Sequence, residues 1–178
     1  DNFNASFTFF ENLSSEVLPF NLVMLDRIIE KEEPPLPNIG DIIEDIELQL
    51  FDWILQVLKN EHGNDWWTNG VKSSIRVNCA TRQEEEGVND NVPKEAYLTL
   101  IDIKAIIEGN WALFSAVMEE VSGFQGKAKS TNWIGNINEK RKLWAHPLKQ
   151  RFINIDPSSV NMVSKFQSKL RLAILNDS

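Results

Sequence analysis

Two residues near the end of the chain carry side chains suited to phosphate chemistry. They are Arg141 and His146, in the stretch EKRKLWAHP over residues 139–147. An arginine stays protonated and can grip a phosphate through two parallel N–H bonds. It can also stabilise the charge that builds on a phosphorane. A histidine titrates near neutrality and can move protons. Together the pair suits metal-independent cleavage of RNA, in which the ribose 2′-OH attacks its own phosphate. No metal constellation competes: His62 and His146 are isolated, and no H-E-x-x-H occurs. No cofactor is called for.

Spacing alone leaves another reading open. A helix turns ~100° per residue, so five residues place Arg141 and His146 ~140° apart. They do not share one face of an ideal helix. Pro147 disfavours helical geometry at the residue before it, so the helix should end at Ala145 or His146 and let the imidazole swing away. The same pattern also describes a surface arginine followed by a histidine capping a helix end. An R-x4-H match is common by chance.

The bulk properties bound the function. The chain has 178 residues, 42% hydrophobic and 25% charged, enough for one ordinary soluble domain. No apolar run approaches the ~18 residues of a membrane span, so no membrane is expected as partner. The start, DNFNASFTFF, has neither the basic region of a signal peptide nor a methionine, so a fragment or processed chain is expected. The single cysteine, Cys79, excludes an internal disulfide framework and fits a reducing cytoplasm. A net charge of −8 argues against a surface that coats nucleic acid broadly. The charge is uneven, though. Lys140, Arg141, Lys142, Lys149 and Arg151 form a run without acids, while acids gather at Glu30 to Glu33, Asp41 to Glu47 and Glu84 to Glu86. That run is either a local basic site or a solvated face.

The elements that must position the pair read as helices. EEPPLPNIG, residues 32–40, is a break rich in proline, so residues 1–40 are expected to be an N-terminal arm and linker, of a kind that can be the tail of a preceding domain. Residues 41–178 are the main domain. Asp41 and Glu44 have capping-box spacing, and Ile42, Ile46, Leu50, Ile54 and Leu58 repeat every four residues up to a stop at Gly63. Ser73 or Ser74 is expected to cap a helix carrying Ile75, Cys79 and Arg82. Trp66 and Trp67, just before it, could stack on bases but more often plug the end of a core. Thr99 and Asp102 resemble a second cap, and Gly109 should split the following segment into two short helices. Residues 131–145 form a helix through Trp133, Ile134, Ile137 and Trp144. Asp156 with Pro157 should start a last amphipathic helix through Val160, Val163, Phe166, Leu170 and Ile174. No strand pattern competes, and the fold class expected is an all-α bundle of four to six helices.

Four ordered blocks point further. IIEDIELQLFDWILQVLKNEHGNDWW looks like a long first helix ending in a Gly-x-x-Trp-Trp turn, and VKSSIRVNCATRQEEEG like the charged helix that follows. YLTLIDIKAIIEGNWALF is similar to an Asp-x-x-x-Ile-Ile-x-x-x-Trp-x-x-Phe block, through Asp102, Ile106, Ile107, Trp111 and Phe114. INEKRKLWAHP fits a Leu-Asn-x-x-Arg-Asn-x-x-Ala-His-Pro signature, through Ile137, Asn138, Arg141, Ala145, His146 and Pro147. From about Ile42 to Ala173 the chain thus resembles the HEPN superfamily, the higher-eukaryote and prokaryote nucleotide-binding domains. The likeness is to the branch found at the carboxy terminus of a eukaryotic RNA-surveillance endonuclease and in many bacterial proteins.

The resemblance implies a HEPN-like helical bundle that often dimerises, with the arginine and histidine of both protomers meeting at a cleft. It implies that Arg141 binds phosphate and stabilises transition-state charge, that His146 does acid–base work, and that Lys142, Asn138 and Lys140 contribute to phosphate or RNA binding. The expected function is a metal-independent endoribonuclease module of a bacterial defence or toxin-type system. RNA, a second copy of the chain and an attached or partner defence or antitoxin protein are the implied partners. The alternative is a non-catalytic HEPN module for dimerisation or for nucleotide or RNA binding in a larger protein. Lys142 stands where the family often has asparagine. It can hold phosphate as a point charge, or mark a member that has lost cleavage.

Overall fold

The computed structural model describes residues 38–87, 92–146, 148 and 156–177. Nearly all of the expected N-terminal arm and linker, and Lys149 and Arg151 of the basic run, lie outside these residues. Among the described residues there are six helices of ten or more residues and no strand. The protein is an all-α helical bundle. No described helix is long and apolar enough to cross a membrane.

The first helix, α1 (Ile39–His62), buries Ile42, Ile43, Ile46, Leu50, Trp53, Ile54 and Leu58 along one stripe. A four-residue repeat keeps these side chains on one face, and that face becomes the centre of the core. The cap is not the expected Asp41 and Glu44 pair. Asn38 caps instead, its side-chain oxygen accepting from the Gly40 N–H at 3.0 Å. Its amide nitrogen donates to Asp41 Oδ1 at 3.1 Å. The helix therefore reaches back into the stretch whose prolines suggested a linker. Gly63, at φ 58°, ends it, with its N–H returning to the Lys59 carbonyl.

A 3₁₀ turn and one helical turn follow, where Trp66 is buried and meets Trp67 edge-on at 5.4 Å between ring centres. The tryptophans plug the end of the core. Helix α2 (Ser73–Glu86) then buries Ile75 and Cys79. Neither Ser73 nor Ser74 is its cap. Lys72 holds that position without a side-chain bond. Buried Val71 and the Arg76 Nε–H, donating to the Val71 carbonyl at 3.2 Å, draw the chain into the helix one residue early.

Helix α3 (Leu100–Gly109) opens on the expected capping box of Thr99 and Asp102. Arg82 of α2 donates through Nη1 to Asp102 Oδ2 at 2.7 Å and to the Tyr97 carbonyl at 2.8 Å. Burial pushes the Asp102 carboxyl up, but hydrogen bonds from Thr99 and then the Arg82 guanidinium outweigh it and hold it below the usual carboxylate range. As expected, α3 breaks after Gly109, and α4 (Trp111–Ser122) begins beyond Asn110. The Asn110 amide bridges the break, donating to the carbonyls of Gly70 and Ile106 at 2.8 and 2.9 Å.

Helix α5 (Lys127–Trp144) starts four residues before the sequence suggested. Its buried face includes Ser130, Thr131 and Asn138, which mute the apolar periodicity. Thr131 is satisfied by Glu108 of α3, its hydroxyl donating to Oε1 at 2.6 Å. Helix α6 (Pro157–Asp177) starts as expected at Asp156, whose Oδ1 accepts from the Ser158 N–H at 3.1 Å. It buries Val160, Val163, Leu170 and Ala173, and Phe166 stacks on Trp133 at 5.1 Å.

Candidate active site

The last two turns of α5 carry Asn138, Lys140, Arg141, Lys142 and Trp144. The Ala145 N–H still donates to the Arg141 carbonyl at 2.8 Å, and the His146 N–H to the Leu143 carbonyl at 3.3 Å. His146 thus lies two residues past the end of the helix, exposed. Pro147 lies outside the described residues.

Trp144 fixes where this end sits. Its ring lies across Gly40 in the first turn of α1, so closely that a Cβ on Gly40 would fall 2.1 Å from Trp144 Cε2. Only a residue without a side chain allows that approach. Three residues earlier, about one helical turn, Arg141 lies on the same side of α5, and its Nε is 2.7 Å from Glu47 Oε1 on α1. The two contacts order α5 antiparallel to α1, since the later residue of one helix meets the earlier residue of the other.

The other motif cations also face carboxylates. Lys142 Nζ is 2.8 Å from Glu139 Oε1, with both side chains mostly exposed. Lys140 lies near Asp156. Hydrogen bonds from the Ser158 hydroxyl and N–H hold the Asp156 carboxyl below its usual range, and the charge of Lys140 adds to that. Asn138 is buried, 5% exposed, and lines the inner face of α5 rather than the surface.

The arrangement brings Arg141 and His146 to one end of one helix, and both reach solvent: the Arg141 side chain is 41% exposed. No hydrogen bond or ion pair joins them among the described residues. Glu47 Oε1 lies at Arg141 Nε, and the two terminal guanidinium nitrogens are further donors of the kind that grips an oxyanion. Among the described residues, no group of three or more His, Cys, Asp and Glu is placed to hold a metal ion.

Sequence reasoning missed Glu47 and Gly40. Gly40 read as a chain breaker, and its signal is only its place beside a helix start. Glu47 is one acid among several in α1, and nothing local marks it as a partner for an arginine far along the chain. Comparison with family models, with curated proteins and with solved structures finds no match.

Proposed function

We propose that this chain is a HEPN-type, metal-independent endoribonuclease module of the kind used in bacterial defence or toxin-type systems. The observation that carries the reading is the pairing of a forked cation and an exposed imidazole at one helix end, anchored by Trp144 on Gly40. The four sequence blocks of the HEPN resemblance and the all-α bundle support it. In this reading one His146 imidazole takes the 2′-OH proton. The oxygen attacks phosphorus, and Arg141 stabilises the charge on the phosphorane. The 5′ oxygen leaves with a proton from the His146 imidazole of a second copy across a two-fold cleft. The products are a 2′,3′-cyclic phosphate and a 5′-hydroxyl. A two-fold contact also removes the geometric difficulty that ~140° separates the pair along an ideal helix.

The test is RNA cleavage in EDTA. Arg141→Ala and His146→Ala should each abolish it while leaving the melting temperature nearly unchanged, because both side chains reach solvent. Cleavage that persists in the double variant overturns the reading.

A second reading is a non-catalytic HEPN module that dimerises or binds nucleotide or RNA. The carboxylate beside each motif cation favours it, since each lowers the local positive potential. It predicts a stable dimer that cleaves no RNA.

A further inference from the structure

Away from the motif, a groove runs along the seam of α1 and α6. Two adjoining hollows, of about 300 and 260 Å³, share Trp53 and Gln56. Two polar atoms of its lining have no hydrogen-bond partner among the described residues: Trp53 Nε1, on a residue only 4% exposed, and Gln49 Oε1. Buried groups of this kind normally find one. The chemistry of each is settled. An indole nitrogen can only donate. The Gln49 amide nitrogen is turned to Asp45 Oδ2, which also receives Gln167 Nε2 at 2.6 Å, so the other end of that amide is an acceptor. Trp133 Nε1 and His62 Nε2 also lack partners, but neither residue lines this groove.

A donor and an acceptor on residues one helical turn apart are the complements of the carbonyl oxygens and N–H groups of a peptide main chain. The rim adds a second preference. Asp52, Glu61 and Asp177 border the groove, while Arg171, the one cation lining it among the described residues, is engaged with Asp45 at 3.2 Å. Such a rim repels phosphate and attracts basic side chains. Exposed Leu175, with Val57 and Leu113, supplies apolar wall.

We infer that this groove binds a basic peptide segment of a partner protein, with a main-chain N–H donated to Gln49 and a main-chain carbonyl accepting from Trp53. Lysine or arginine side chains of the peptide lie against Asp52, Glu61 and Asp177. Both unpartnered atoms are closed to solvent, and exposed Gln56, which lines both hollows, is the side chain the peptide pushes aside, while the Gln49 amide stays held at Asp45. The site is independent of the ribonuclease reading.

The test follows the Trp53 indole N–H by nuclear magnetic resonance, assigned through its loss in Trp53→Phe. The probe is the capped peptide acetyl-Leu-Lys-Leu-Lys-amide, with acetyl-Leu-Glu-Leu-Glu-amide and a single-stranded RNA oligonucleotide as controls. The basic peptide should shift the resonance saturably, and the two controls should not. Gln49→Leu should weaken binding roughly five- to hundredfold, the loss expected when a buried donor in the complex goes unmet. The exposed Asp52→Lys, which makes no buried contact, should also weaken it. No saturable shift overturns the inference, and so does an equal or larger response to the acidic peptide or the RNA. Unchanged affinity in both variants overturns it as well.

Discussion

Arg141 Nε lies 2.7 Å from Glu47 Oε1, an ion pair that ties the end of α5 to α1. Both side chains are partly exposed, so the pair contributes less than about 1 kcal/mol to stability. On the proposed reading its larger effect is on RNA binding, because a phosphate approaching Arg141 would meet the Glu47 charge. Glu47→Gln keeps a hydrogen-bonding group and removes that charge. It should raise RNA affinity several-fold in a filter-binding titration and shift the melting temperature little. A fall in affinity would show that Glu47 instead holds Arg141 in its binding pose.

The contact of Trp144 with Gly40 should be sensitive to a single methyl group. Gly40→Ala would normally help a helix. Here the new Cβ meets the indole at 2.1 Å, backbone against a rigid ring. A loss of about 1–3 kcal/mol is expected from the overpacking, read by urea denaturation. Adding Trp144→Leu should restore part of it, and the coupling between the two substitutions measures the contact. Additive losses would mean that the ring and Gly40 do not touch in solution.

Lys142 separates chemistry from stability. Its bond to Glu139 is a surface pair between residues three apart, with the Lys142 side chain 59% exposed. Lys142→Ala should change unfolding free energy by no more than about 0.5 kcal/mol. If Lys142 meets phosphate, the same variant should weaken RNA binding across sequences and lower the salt slope by about one. An unchanged slope assigns Lys142 to the solvated face.

Asp102 gives a dependence on pH. Its carboxyl is held below the usual range in the folded state, so the unfolded chain takes up the proton first as pH falls. The stabilisation is complete above the ordinary value of about 4 and is lost as pH drops through the lower, folded value. Melting temperature should fall over that acid range, and Asp102→Asn should flatten that part of the profile while lowering stability near neutrality. A variant with the wild-type acid profile would assign the loss to other carboxylates.

What the residues dictate locally was legible without tertiary structure. The four-residue repeat of α1 has one solution for burying its isoleucines, Gly63 admits the φ of 58° at its stop, and Thr99 with Asp102 closes a capping box within four residues. The break after Gly109 and the start at Asp156 and Pro157 follow the same logic, since each depends on neighbours in sequence. The side chains proposed to meet RNA, Arg141 and His146, were legible as types. Their surroundings were not. Glu47 reaches Arg141, and Gly40 admits Trp144, only because α5 returns antiparallel along α1. The early start of α5 was hidden because Ser130 and Thr131 are buried, and the partner that satisfies Thr131 is Glu108 of α3. Helix periods and caps arise from bonds over three or four residues. Cross-helix charge, close approach and polar burial are decided by which surfaces the folded chain brings together.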